Sequence, residues 1–209
     1  MPTRLEIELT SRSPDGSWTW RAAGAREPRG VLDGSILPRG ATVGDQVPSI
    51  DGTAYVHPDA VVIGSVTIGP QSSIWPNAVL RGDDGEIRIG SRTSIQDCSV
   101  LHTTVEDPTV VGDECVIGHI VHLEGCIVKD QAMVGNGAIV LHRSVIGTGA
   151  VVAANSVVLY DVDVPPGALA VGAPATIKPD RARHDEILRG VETYVRRARR
   201  FATDLRRID

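Results

Sequence analysis

Large rings are scarce in this chain: its 209 residues include one Phe, three Tyr and three Trp, so aromatics make up 3% of the whole. Without the side chains that usually dominate buried area, a core has to be tiled with small aliphatics. Cysteine is sparse too. Cys98, Cys115 and Cys126 are odd in number and no pair has CxxC spacing, which argues against a disulfide framework or thiolate zinc site and predicts buried, reduced thiols. No apolar run approaches the roughly 18 residues of a membrane span. The opening Met1-Pro2-Thr3-Arg4-Leu5-Glu6 has no apolar segment or small-residue cleavage site, so a soluble, cytoplasmic chain with no membrane partner is expected. Positive charge is in deficit, with 21 Lys and Arg against 26 Asp and Glu for a net −5. Nucleic acid is therefore not expected as a partner. The one basic cluster, Arg196, Arg197, Arg199 and Arg200, reads as the solvated face of a helix.

What the chain has in excess is Gly, at 22 residues of 209, against about 7% in average usage. Aliphatic residues recur from Val56 through Val62, Ile68, Ile74 and Leu80 and on to Val158, nearly always six apart. The exceptions are a step of nine after Leu80, of ten after Leu101 and of five after Leu123. A period of six fits neither an amphipathic helix nor one long strand, but it fits a chain that turns every six residues, with Gly expected to accept the unusual backbone angles. Three hexads close one triangular coil. The fold class is therefore mainly β, a parallel β-helix of hexapeptide repeats with about six coils over residues 50–178.

Two flanks complete the organisation. Residues 1–49 hold a β-hairpin, with Leu5, Ile7 and Leu9 alternating before the turn at Pro14-Asp15-Gly16 and Trp18-Thr19-Trp20 after it, then a Gly/Pro-rich connection over 22–49. The hairpin is expected to cover the open end of the solenoid, with partner binding by Trp18 and Trp20 as the other reading. Residues 179–209 carry an amphipathic α-helix over about 181–207, whose stripe of Ile187, Leu188, Val191, Tyr194, Val195, Ala198, Phe201 and Leu205 should pack on the solenoid flank.

Both lengthened steps begin at the same corner, the one occupied by Leu80, Leu101 and Leu123. Loops inserted repeatedly at one edge of a solenoid build a binding face without disturbing its stacking. The next residues, Arg81, His102 and Glu124, form a column with coils about 4.8 Å apart. A histidine and a carboxylate so placed can share a metal ion, each at about 2 Å. His119 is the natural third ligand, but it precedes Glu124 by five residues on another side of the prism, up to roughly 16 Å away along extended chain. Two chains of a homotrimer would bring His119 of one against His102 and Glu124 of the next.

These residues resemble the gamma-class carbonic anhydrases, and the resemblance covers about residues 50–178. It implies a left-handed coil and a trimer with metal at its interfaces. Arg81-Gly82-Asp83 matches the family's arginine–aspartate pair, which bridges subunits. Gln96 in Gln96-Asp97 matches the glutamine that orients the metal-bound hydroxide, His102 the first histidine ligand, and Gly118-His119 the ligand from the adjoining subunit. The implied activity is reversible hydration of CO2 to bicarbonate, with zinc, or iron(II) or cobalt in its place. Asp84, with Glu106 or Asp107, would carry protons. Val171-Gly172-Ala173-Pro174-Ala175 resembles a segment shared with hexapeptide acyltransferases.

Two departures stand out: Glu124 occupies the place of the family's third histidine, and Ser94 that of an asparagine. Glu124 has three readings. It ligates directly, so that bound water is less acidic and the optimum shifts to higher pH; or His122 or His142 supplies the third imidazole with Glu124 behind it; or the site is weakened. The rival functions are an acyl-CoA-dependent acyltransferase with a histidine base and a non-enzymatic metal-binding scaffold or assembly protein.

Overall fold

The computed structural model describes residues 7–12, 18–22, 40–206 and 208, in two units over 1–35 and 36–209. In the first unit Ile7–Arg12 pairs antiparallel with Trp18–Ala22, with an irregularity between Leu9 and Ser11. The hairpin read from the alternation is thus present. The side chains of Trp18 and Trp20, and the connection over 23–39, lie outside the described residues, so the hairpin's expected covering role does too.

The second unit is a parallel solenoid followed by one helix. Its inward aliphatics stack in three rows. One row runs Val62, Leu80, Leu101, Leu123, Val140 and Val158 in register. A second runs Ile50, Ile68, Ile89, Val111, Val128, Ile146 and Val164. The third runs Val56, Ile74, Ile95, Ile117, Val134, Val152 and Ala170. Residues of these rows form the main core cluster, most of them 0–2% exposed. The second and third rows have seven rungs, one more than the about six coils expected. The rungs beyond the aliphatic series are Ile50 and Val164 in the second row and Ala170 in the third.

The glycines that follow the inward aliphatics do a different job from the one expected. Left-handed backbone falls two residues after them, at Gln71, Arg92 and Glu114, with φ of 56°, 55° and 53°. The glycines themselves are required by close stacking of coil on coil: a Cβ at Gly90 would lie 2.5 Å from the carbonyl carbon of Gly112.

The helix spans His184–Asp204, three residues shorter at each end than expected. Asp185 and Glu186 in its first turn suit the positive end of the helix dipole. Ile187, Val191 and Val195 pack against Val116, Met133 and Val151 on the outside of the third row. Each such buried aliphatic contributes about 1.5–3 kcal/mol. Tyr194 and Phe201 of the helix meet Tyr55 and Trp75 of the solenoid, the Trp75–Phe201 centroids being 5.1 Å apart. Four rings, Tyr55, Trp75, Tyr194 and Phe201, thus gather under the helix rather than inside the coil. Arg92 ties the solenoid to the helix by pairing with both Glu114 and Glu192. Gln131 donates to Glu114 Oε2 at 2.8 Å, and its Oε1 lies 2.8 Å from His184 Nε2. No helix among the described residues is long and apolar enough to cross a membrane.

Candidate metal centre

Strand register places Arg81, His102 and Glu124 side by side on three successive rungs, as the coil count predicts. Leu80, Leu101 and Leu123 turn inward and are fully buried, so the alternation of a strand turns the next residue outward at the same corner. The two insertions fold over this edge. The first lengthens one strand to Val79–Ile89; the second forms a tight loop in which Thr103 Oγ1 donates to the Asp107 carbonyl at 2.8 Å. They meet at Gly85, where a Cβ would lie 2.2 Å from the Thr104 carbonyl oxygen. Beside them opens a cleft of about 850 Å³ whose walls include Asp83, Asp84, Glu86, Thr104 and Val105 on one side and Asp45 and Gln46 on the other.

Glu124 sits among three imidazoles. Its Oε1 is 3.0 Å from His102 Nδ1, while Oε2 is 3.1 Å from His122 Nε2 and 3.7 Å from His142 Nε2. The His102 hydrogen bond, followed by His122, holds the Glu124 carboxyl below the usual carboxylate range despite partial burial. His142 also lies 3.6 Å from Asp107 and stacks flat on Tyr160 at 5.4 Å.

The other nitrogen of His102 has a different environment. Nε2 lies 3.5 Å from Asp83 Oδ1, beyond ordinary hydrogen-bond length. Both atoms are buried and lack a hydrogen-bond partner. A buried polar atom left in that state costs about 1–3 kcal/mol. Asp83 Oδ2 is occupied, accepting from Arg81 Nη1 at 2.5 Å within the same chain. Burial pushes the Asp83 carboxyl up, but the Arg81 hydrogen bond and neighbouring charges outweigh it and leave the group below its ordinary range. Among the described residues, Asp83, Asp84 and His102 bring donor atoms within 4.8 Å of one another. An unpartnered imidazole nitrogen facing an unpartnered carboxylate oxygen is the donor chemistry of a zinc-type divalent ion, so the residues fit such a group.

His119 does not join this cluster. It follows the third-row strand Val116–Ile117, is 42% exposed in its side chain, and places Nδ1 2.9 Å from Asp97 Oδ2. Gln96 is buried at 3% exposure. Asp84 and Glu106 are exposed, and Asp107 accepts from Arg143 at 3.1 Å. Ser94 lies on the far side, under the helix, where its Oγ accepts from Trp75 Nε1 at 3.1 Å. Sequence reasoning did not assign Asp97 as a clasp on His119, nor Tyr160 as a stacking partner of His142. The signal for the second was available: Tyr160 lies 18 residues, one coil, beyond His142.

A hexapeptide-repeat solenoid with an imidazole–carboxylate column at its insertion-bearing corner defines the class of protein. No family model matches the chain. It is 50% identical over 118 residues to the probable carbonic anhydrase of Methanocaldococcus jannaschii, a match covering 56% of this chain and 74% of that protein. It is also 41% identical over 137 residues to the mitochondrial gamma carbonic anhydrase 1 of Arabidopsis thaliana, which covers 63% of this chain and 50%, about half, of the plant protein. Among solved structures, a Bacillus cereus protein described as a putative acetyltransferase superposes with a TM-score of 0.76 at 31% identity, over 78% of this chain and 98% of that one. The chain belongs to the gamma carbonic anhydrase family.

Proposed function

We propose that this protein catalyses the reversible hydration of CO2 to bicarbonate, using a divalent metal, zinc first and iron(II) or cobalt as alternatives, held between chains of a cytoplasmic homotrimer. The observation that carries the reading is the buried, unpartnered Nε2 of His102 beside the acidic cleft. Bound there, the metal would supply Lewis acidity, lowering the pKa of water from 15.7 to about 7.

The chain's own residues supply the rest. His102 holds its free nitrogen 3.5 Å from Asp83, which lines the cleft. His119 of the same chain belongs to another row, so in this proposal a neighbouring copy brings its His119 to the site. Exposed Val61, Val100 and Ile120 offer that copy apolar surface. Gln96 would orient the attacking water, and Arg81 would hold the interface. Asp84, exposed at the cleft, is placed to take a proton outward, with Glu106 on the neighbouring loop as the next acceptor.

Stopped-flow CO2 hydration, with metal content assayed on the same sample, tests this. Turnover should track occupancy and vanish in both His102→Ala and His119→Ala. Full occupancy without hydration would overturn it. The likeness to a protein described as a putative acetyltransferase supports acyl transfer as the second reading, and coenzyme A binding without metal would favour it.

A further inference from the structure

We infer that His142, held in place by Tyr160 and Asp107, is the residue that positions the Glu124 carboxylate at the metal centre, so that Tyr160 acts on the centre through it. The inference rests on the proposed metal site but not on the reaction assigned to it, and every contact it uses lies within one chain.

Coil length puts these groups together. Leu123 pairs with Val140, 17 residues on, and Val140 with Val158, 18 residues on. Two residues past each of these, His142 falls beside Gly125 on one coil and Tyr160 on the next. Only a residue without a side chain suits position 125: a Cβ there would lie 2.6 Å from His142 Nδ1 and 2.8 Å from Asp107 Cβ. The imidazole also lies flat on the Tyr160 ring, with centroids 5.4 Å apart and planes 5° from parallel. Backbone bonds pin it to both coils, from Arg143 N to the Gly125 carbonyl at 2.7 Å and from Asp161 N to the His142 carbonyl at 3.1 Å. The Arg143 side chain then links Asp107 Oδ2, at 3.1 Å, to Asp161 Oδ1, at 2.7 Å.

The ring so fixed faces a carboxylate at each nitrogen: Asp107 Oδ2 lies 3.6 Å from Nδ1 and Glu124 Oε2 3.7 Å from Nε2. These distances exceed a hydrogen bond but lie within the reach of an ion pair. His122 is nearer to Glu124 Oε2, at 3.1 Å, yet its side chain is 37% exposed against 15% for His142. A half-open side chain keeps rotamer freedom, whereas a wedged ring has already lost it. His142 is therefore the fixed boundary against which the carboxylate settles. Glu124 Oε1 lies 3.0 Å from His102 Nδ1, so where this carboxylate stands carries over to the His102 ring. Partners behind a metal-binding group fix its direction, and here the contacts run unbroken from Tyr160 through His142 and Glu124 to His102.

Cobalt(II) binding to the full chain, read by its visible spectrum and by titration of affinity, tests the assignment. His142→Ala should change the spectrum and lower affinity about 10–100-fold, as loss of an orienting partner does. His142→Gln should restore both, because its amide nitrogen reaches the place of Nε2 and donates there without a lone pair to offer a metal. His142→Asn, whose amide reaches only the place of Nδ1, should not. Tyr160→Phe should behave as wild type and Tyr160→Ala as a weaker His142→Ala. In a Glu124→Gln background His142→Ala should cost at most about 2-fold more, since residues that act through one another are not additive. Melting temperatures of the metal-free wild type, the two single variants and the double variant should show the same coupling. A wild-type spectrum and affinity in His142→Ala, failure of His142→Gln to restore them, or additive losses in the melts would each overturn the inference. A wild type that binds no cobalt while its melts stay coupled would overturn the metal site and leave the contact of His142 with Glu124 standing. A loaded wild type without CO2 hydration would overturn only the reaction.

Discussion

Ile120 combines three features that rarely coincide: it is β-branched, it has left-handed backbone with φ of 59°, and it is 67% exposed. That conformation costs an L-residue about 1–2 kcal/mol, and an exposed side chain returns nothing to the isolated chain. The residue next to His119 makes sense as an apolar contact for a neighbouring copy. Ile120→Asn should therefore weaken association, measured by sedimentation equilibrium, while raising the melting temperature of the dissociated chain. Unchanged association would remove Ile120 from the interface. The cysteines give a second test at this scale. Burial pushes the Cys115 and Cys126 thiols up to about 12, so both should resist a thiol reagent until the chain unfolds. Cys98 is exposed and should react at once in the dissociated chain. The sequence predicts all three buried; Cys98 escapes because it occupies a left-handed corner, with φ of 59°, whose side chain turns out of the coil.

At the scale of elements, the inward rows follow the six-residue period residue for residue, because every coil must present one aliphatic to each side of the same narrow core. The role of the glycines was not legible, since a single chain's periodicity does not separate a backbone-angle requirement from a close approach. Gly90→Ala distinguishes them. It forces a Cβ to 2.5 Å from the next coil's backbone and should cost about 1–3 kcal/mol, as overpacking does, read as a lower melting temperature. The contacts that dock the helix should weaken in acid. Hydrogen bonds from Gln131 and then Arg92 hold the Glu114 carboxyl below its ordinary range. A depressed carboxyl contributes stability that is present above its unfolded pKa and is lost as pH falls through the folded value. Acidification below about pH 4.5 should loosen this network, and Glu114→Gln should flatten that acid limb in a pH series of thermal melts. The effect is small, about 1 kcal/mol or less, because Glu192 at the end of the chain of contacts is largely exposed.

For the whole molecule, the column of Arg81, His102 and Glu124 was legible because insertion sites and coil length fix a corner by counting. The direction of each imidazole was not, because it depends on which nitrogen a neighbouring carboxylate reaches. Asp97 lies 22 residues before His119, one coil plus the four-residue insertion, so the clasp on His119 follows the same arithmetic only once the inserted loop is placed. A site that needs His102 from one copy and His119 from another makes a demand no single-chain site makes. The most direct test is to coexpress His102→Ala and His119→Ala chains, each inactive alone, and measure CO2 hydration by the metal-loaded mixture. In a cyclic trimer every mixed assembly contains one interface with both histidines intact, so random mixing should restore about one quarter of wild-type activity. Mixed trimers that stay as inactive as either parent would contradict a centre shared between chains.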